Sequence, residues 1–108
     1  MSHWLVRAKP RIETLPRLRL RLDSGRVRDL RPFGKALDES LRRARAAAGV
    51  ALWEEEDYCD PPLAEERAAV LDEHSEDIAV EAVQPGEAWR RIESLPSLWD
   101  RTNGTEPR

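Results

Sequence analysis

Leucine and arginine alternate along residues 18–22, and this stretch constrains the fold more than any other part of the chain. Alternation with a period of two places one residue type on each face of a β-strand. The Asp23-Ser24-Gly25 that follows is typical of a tight turn, because glycine supplies the positive φ that a short hairpin needs. The pattern therefore predicts a β-hairpin over residues 18–30, with leucines facing a core and arginines on the other face.

The arginine-bearing face of this hairpin is a candidate binding surface. Its members are Arg19, Arg21, Arg26 and Arg28. Like charges opposite each other across a hairpin cost about 0.2–1 kcal/mol per pair, so something must offset them. Three partners are possible: the acidic stretches 54–57 and 72–77 of the same chain or of a second copy, a nucleic acid, or an acidic protein. Nucleic acid is disfavoured by the pI of 5.5 and by the lack of interleaved aromatic residues.

The charge of the chain is divided between its halves. Residues 1–50 hold 13 lysines and arginines against 5 acidic residues, a charge of +8, and residues 51–108 hold 5 against 16, a charge of −11. Such an asymmetry can indicate a charged partner. The simpler interpretation is that the two halves fold together and neutralise each other.

The remaining periodic segments complete an α+β pattern. They predict strands over 4–7, 50–53 and 77–83, and helices over 36–48, 60–73 and 87–94. Gly49 is expected to end the first of these helices, and Asp60-Pro61 to begin the second. The predicted fold is a small mixed or antiparallel sheet with an N-terminal hairpin and about three helices packed on one face. We expect one domain over 1–99 and a disordered tail over 100–108.

Four tryptophans in a chain of 108 residues are many. Trp53 and Trp89 occupy inward positions of predicted elements and are expected in the core. Trp4 and Trp99 lie near the termini, where they could cover the edges of the core or contact a partner, since tryptophan is enriched at interfaces.

No pattern predicts catalysis, a cofactor or a metal. His3, His74 and Cys59 are far apart and lack metal-ligand spacing. Cys59 is expected to be an inert thiol, because the neighbouring acids disfavour a thiolate. The acidic residues Glu54, Glu55, Glu56, Asp57 and Asp60 could supply paired carboxylates, but alternate strand residues diverge, so a solvated or arginine-pairing face is the preferred interpretation.

One resemblance adds to this interpretation. The hairpin with Gly25, the Asp29-Leu30-Arg31-Pro32 element, Trp53 and Asp60-Pro61 are together similar to the small bacterial domain-of-unknown-function family 2442. The similarity covers about residues 4–63, and the chain departs from it where acidic residues replace a glycine shortly after Trp53. The resemblance implies a non-enzymatic protein. It also implies a regulatory or partner-binding context, since some members of the family are joined to helix-turn-helix domains and some are regarded as partners in toxin–antitoxin-like gene pairs.

These observations predict a small, non-enzymatic protein-binding or regulatory module, an accessory or antitoxin-like member of a bacterial gene pair. The alternative is nucleic-acid binding through the arginine face. We expect a protein partner or self-association and no small-molecule substrate. The chain has no apolar run long enough for a signal peptide or a membrane span, so a cytoplasmic location is expected.

Overall fold

The computed structural model of the chain describes residues 2–100 and places four antiparallel strands between two layers of helices. The elements are β1 (His3–Pro10), α1 (Leu15–Asp23), α2 (Gly34–Arg42), β2 (Arg45–Ala47), β3 (Val50–Glu56), α3 (residues 64–74), β4 (Ser75–Val83) and α4 (Glu87–Ile92). In α3 the middle segment, Arg67–Leu71, is π-helical. The sheet order is β2-β3-β1-β4, and the predicted α+β class is confirmed.

The predicted N-terminal hairpin is wrong, because residues 15–23 form the helix α1. Leu15, Leu18 and Leu22 have the spacing of a helical stripe, and the last two are buried. Only Leu20 breaks that stripe, and it is 68% exposed. Leucine and arginine are both strong helix formers and the segment has no β-branched residue, so local propensity favours the helix over the strand.

Gly25 does adopt a positive φ, of 85°, but it ends a helix instead of turning a hairpin. Its N–H donates to the carbonyl of Leu22, and the N–H of Arg26 donates to the carbonyl of Arg21. This pair of bonds is the Schellman motif, in which glycine follows the last helical turn. The turn signal was therefore correctly located but belongs to a different element.

The helix predicted over 36–48 is shorter than expected. It ends at Arg42, and residues 45–47 form the short strand β2. Ala48 and Gly49 have φ of 52° and 80° and join β2 to β3, as in a type I′ hairpin turn. Gly49 is thus a hairpin residue and not a helix cap.

The strands predicted over 4–7, 50–53 and 77–83 are confirmed, and each is longer than expected. The predicted helix start at Asp60-Pro61 is wrong, because helical structure begins at Ala64. Leu63, Val70 and Leu71 are buried.

The two faces of the sheet carry separate hydrophobic clusters. On one face, strand residues including Val6 and Trp53 pack with buried side chains of α1, α2 and α3. On the other face, Leu5 packs with Ala88 and Ile92 of α4. Three helices therefore share one face, but they are not the three that were predicted: α1 is among them, and α4, the helix predicted over 87–94, lies on the opposite face.

The two edges of the sheet differ. The β2 edge is covered by the C-terminal segment, where Ala46 N–H donates to Pro96 and Leu98 N–H donates to Ala44. Leu98 and Trp99 therefore fold back on the body of the domain. The β4 edge is not paired with another described strand. The predicted disordered tail falls almost entirely on residues 101–108, outside the described residues.

No helix within residues 2–100 is long and apolar enough to cross a bilayer.

Candidate functional site

The arginines predicted to share a hairpin face do not share one in the structure. Arg19 and Arg21 lie on α1, whereas Arg26 and Arg28 lie in the turns that follow it. Arg19 pairs with Asp23 at 3.2 Å and stacks over the Trp99 ring at 5.4 Å. The continuous basic surface expected from the hairpin is therefore absent from the described part of the chain.

Arg21 is partly buried and is held by partners within the protein. Its guanidinium donates to Glu73 at 3.1 Å, to Nε2 of His74 at 3.2 Å and to the carbonyl of Ala69 at 3.4 Å. A side chain with three internal acceptors is not available to a partner. The structure assigns Arg21 a role in joining α1 to α3.

Arg28 and Arg26 remain at the surface. Arg28 lies 3.7 Å from carboxylate oxygens of both Asp38 and Glu39. Arg26 is exposed and has no ion pair among the residues that the structure describes, and the same holds for Arg31. Of the four candidate arginines, only Arg26 therefore retains an uncompensated charge.

Internal neutralisation of the basic half is confirmed for the acidic segment 72–77. Glu73 accepts from Arg17 and Arg21, and Glu76 lies 3.5 Å from Arg11. The same expectation is wrong for residues 54–57, since none of these carboxylates pairs with a described arginine. Glu54, Glu55 and Asp57 are instead buried.

Glu54 holds the start of α4. Its carboxylate accepts main-chain N–H groups of Gly86, Ala88 and Trp89 at 2.8, 2.9 and 3.3 Å, and it contacts His3 at 3.2 Å. Burial alone would raise the pKa of Glu54, but these donors stabilise the carboxylate and the pKa is lowered. Its role is structural.

Asp57, Cys59 and Glu66 form a small cluster where the β3–α3 loop meets the first turn of α3. One potential ligand atom from each side chain lies within 4.8 Å of the others. Asp57 Oδ2 accepts the N–H of Leu63 at 2.7 Å and that of Cys59 at 3.0 Å, so this carboxylate is fixed by the main chain. Among the residues that the structure describes, these three form the group that could hold a metal ion.

The carboxyl groups near this cluster have strongly perturbed acidity. Burial and the nearby charge of Glu66 raise the pKa of Glu55 to about 8, although Trp53 Nε1–H donates to it at 3.0 Å. Burial and a hydrogen bond with Asp57 raise the pKa of Glu66 to about 7. Burial opposes ionisation of Asp57, but the Leu63 N–H and the Glu66 carboxyl outweigh it, and the pKa of Asp57 is lowered. Asp57 and Glu66 thus share one proton near neutral pH.

Cys59 is partly exposed in this cluster. A backbone hydrogen bond at Glu65 acts to lower the pKa of the thiol, but desolvation and the charges of Asp57 and Glu66 outweigh it and the pKa is raised. The thiol is therefore protonated and unreactive by itself, as the sequence predicts.

The cluster borders an open pocket of about 450 Å³. The pocket is lined by Pro32, Phe33, Ala36, residues 56–59, Glu65 and Glu66. Sequence reasoning included Asp57 and Cys59 but missed Glu66, seven positions beyond Cys59. Nothing in the sequence marked it, because in the helix predicted over 60–73 it lies beyond the first turn and resembles any glutamate on a helix surface.

Trp4 and Trp99 cover edges of the core. Both are partly buried and pack against the larger cluster. Trp99 Nε1–H donates to the carbonyl of Leu41 at 2.7 Å, and Trp4 Nε1–H donates to that of Asp57 at 3.4 Å. Their polar atoms already have internal acceptors, so a role for either in binding a partner stays a prediction.

A second concavity, of about 460 Å³, has an apolar lining throughout. We call it the apolar groove; it is lined by Pro10, Ile12, Leu15, residues 46–50, Leu95, Pro96 and Leu98. Ile12 projects from it with 67% of its surface exposed. Sequence reasoning missed this groove because it depends on residues 46–50 forming a hairpin and not the end of a helix.

Comparison of the chain with models of protein families found no match, and neither the curated proteins nor the solved structures gave one. The resemblance to family 2442 therefore stays a prediction.

Proposed function

We propose that this chain is a small, non-enzymatic, cytoplasmic module that binds another protein through the apolar groove. The observation that carries the proposal is the uniform lining of the groove, whose residues are all apolar or glycine. Concentrated exposed apolar surface on a small protein is typical of a binding site. The partner protein implied by the resemblance agrees with this proposal.

The lining favours a protein over a small molecule. Small-molecule sites combine an apolar wall with a few convergent polar groups that orient the ligand. The apolar groove has no polar side chain in its lining. Alanines and a glycine of the β2–β3 hairpin form part of the lining. Because these residues are small, they leave room for a large side chain of the partner.

Charge next to the groove indicates the chemistry of the partner. Arg45 reaches the groove, because its guanidinium donates to the carbonyl of the lining residue Leu95 at 2.9 Å. It forms no ion pair within the described range, so its charge is available to a partner. We therefore infer that the occupant is a protein segment with a large apolar anchor flanked by acidic residues, because such a segment matches both surfaces.

The test uses two labelled peptides of about twelve residues, one with alternating leucine and glutamate and the other with leucine and lysine. We expect the acidic peptide to bind with a Kd of about 10–100 μM and the basic peptide to bind at least ten-fold more weakly, at about 1 mM. The readout is fluorescence anisotropy.

Two matched substitutions locate the site. Ile12→Ser should weaken binding of the acidic peptide about ten-fold, a loss of about 1.4 kcal/mol, by removing apolar contact area. Leu20→Ser is the control, because Leu20 is 68% exposed, like Ile12 at 67%, but lies outside the groove. Equal loss in both variants, or equal binding of both peptides, would contradict the proposal.

Nucleic-acid binding is the second candidate, and the exposed Arg26 and Arg31 are the observation that favours it. Neither has an ion pair among the described residues, so both could contact phosphates. Affinity for a DNA duplex should then fall steeply with salt, and the double change Arg26→Ala with Arg31→Ala should reduce that slope. No binding at about 50 mM salt excludes this candidate.

A further inference from the structure

We propose that Asp57, Cys59 and Glu66 bind one divalent transition-metal ion, with zinc as the best match. This inference goes beyond the proposed function and does not depend on it. The three side chains come from the β3–α3 loop and the first turn of α3, and their potential ligand atoms lie within 4.8 Å of one another. A single ion can contact donor atoms that lie this close together.

An unsatisfied atom in the interior points to a ligand. Glu66 is only 1% exposed, and its Oε1 is buried without a hydrogen-bond partner. A buried acceptor left unpaired costs about 1–3 kcal/mol, so such atoms are rare without a functional reason. The same side chain lines the pocket beside Asp57 and Cys59, so a cation placed among the three would satisfy it.

The neighbouring Glu55 supplies a second such atom. Glu55 is also 1% exposed, and its Oε2 is buried without a partner, while its Oε1 accepts from Trp53. Its carboxyl interacts electrostatically with that of Glu66. Two buried carboxyl groups that each have one unpartnered oxygen therefore lie close together here.

The cluster is also preorganised. The N–H groups of Leu63 and Cys59 fix Asp57 through Oδ2, and Leu63 itself is fully buried. Donors that hold a ligand in place raise metal affinity, and losing them typically costs 10–100-fold. Asp57 is therefore held in one orientation before any ion arrives.

The mixed donor set selects the metal. Calcium and magnesium prefer oxygen ligands alone, whereas zinc accepts thiolate and carboxylate together. Three protein ligands leave a fourth position in a tetrahedral site, and the open pocket of about 450 Å³ beside the cluster gives room there for water.

The test titrates the purified full-length chain with Zn²⁺ in a calorimeter and with Co²⁺ in a spectrometer. We expect one Zn²⁺ per chain with a Kd of about 1 μM or tighter. Bound Co²⁺ should show a thiolate charge-transfer band. No binding of Zn²⁺ at about 100 μM would overturn the proposal.

Three substitutions separate this site from general attraction to acidic residues. Cys59→Ser should abolish the thiolate band of bound Co²⁺, and both Cys59→Ser and Glu66→Gln should weaken Zn²⁺ binding about 10–100-fold. The control is Glu56→Gln, because Glu56 lines the same pocket but is exposed and lies outside the cluster. Equal affinity of Glu66→Gln and the wild type, or equal loss in Glu56→Gln, would refute the site.

Folding does not confound these variants. Glu66→Gln keeps the shape of the side chain and removes a buried ionisable group, and Cys59 is only partly buried. Circular dichroism identifies any variant that is unfolded. Peptide binding at the apolar groove uses other residues, so the two proposals can fail independently.

Discussion

Arg21 donates a hydrogen bond to Nε2 of His74 at 3.2 Å, and this contact fixes the protonation of a buried imidazole. Arginine has no acceptor, so Nε2 must carry a lone pair. The ring proton therefore sits on Nδ1, which lies 3.2 Å from the hydroxyl of Thr14 and donates to it. His74 is thus a neutral, buried link between α1 and α3.

Arg21 should be the arginine of α1 that matters most for stability. Arg21→Ala removes hydrogen bonds to His74, Glu73 and Ala69, and we expect a loss of about 2 kcal/mol in the free energy of unfolding. Urea denaturation measures it. Arg26→Ala is the control, with an expected change within about 0.5 kcal/mol because Arg26 is exposed. Similar losses in both variants would show that Arg21 is only a surface charge.

His74 should make stability depend on pH. Burial lowers the pKa of His74, an effect that Arg21 and Arg17 reinforce and Glu73 opposes. The unfolded chain, where a histidine has a pKa of about 6.5, then binds the proton more readily than the folded chain. The stabilisation that neutral His74 provides is therefore complete above about pH 6.5 and is lost as the pH falls through the folded value.

The comparison that isolates this effect is wild type against His74→Gln. Glu55 and Glu66 have raised pKa values of about 8 and about 7, so they destabilise the fold as the pH rises, in the opposite sense to His74. Both carboxyl groups remain in the variant, and their contribution cancels in the difference. The stability advantage of wild type should shrink between about pH 7.5 and about pH 5.5 in urea denaturation. An advantage that stays constant would show that His74 does not titrate differently on folding.

The sequence predicted the fold class and three of the four strands, because those strands are marked by β-branched and aromatic residues between turn signals. The sequence predicted a strand where α1 lies, because the positions of Leu18, Leu20 and Leu22 fit a period of two. The composition of the same segment fits a helix equally well. The sequence also extended α2 into β2, because alanine has the highest helix propensity. What overrides that propensity is the hairpin turn at residues 48–49 together with the C-terminal segment, where Ala46 N–H donates to Pro96, a contact distant in sequence.

The candidate sites were less predictable than the fold. Opposite charges in the two halves led to the expectation that the basic half pairs with residues 72–77, and Arg17 and Arg21 do pair with Glu73. The run of acids at 54–57 was expected to be solvated, yet Glu54 and Asp57 are buried acceptors of main-chain N–H groups. An acidic residue that accepts main-chain N–H groups at a loop or helix start is the same residue type as a surface acid. Only the fold therefore distinguishes the two.

Glu54 is expected to hold α4 against the sheet. Glu54→Gln should cost about 2 kcal/mol, because an amide matches the N–H groups of Gly86, Ala88 and Trp89 less well than a carboxylate. Hydrogen exchange of these three amides should accelerate more than that of the β1 amides. Glu56→Gln, two positions along β3 and exposed, should leave their exchange unchanged. Unchanged exchange in Glu54→Gln would remove this role.

Gly34, the first residue of α2, should be the least tolerant of substitution among the glycines that the structure describes. A Cβ there would lie 2.3 Å from the carbonyl oxygen of Val27 and 2.8 Å from that of Arg28, and main-chain atoms cannot move aside as a flexible side chain can. We expect Gly34→Ala to cost about 3 kcal/mol in urea denaturation, because it separates α2 from the preceding turn. Gly49→Ala is the comparison: its φ is +80° but a Cβ there meets no atom within 4 Å, so only backbone strain of about 1 kcal/mol is expected. If Gly34→Ala lowered the free energy of unfolding less than Gly49→Ala does, the result would contradict the close approach of residues 27–28 to α2.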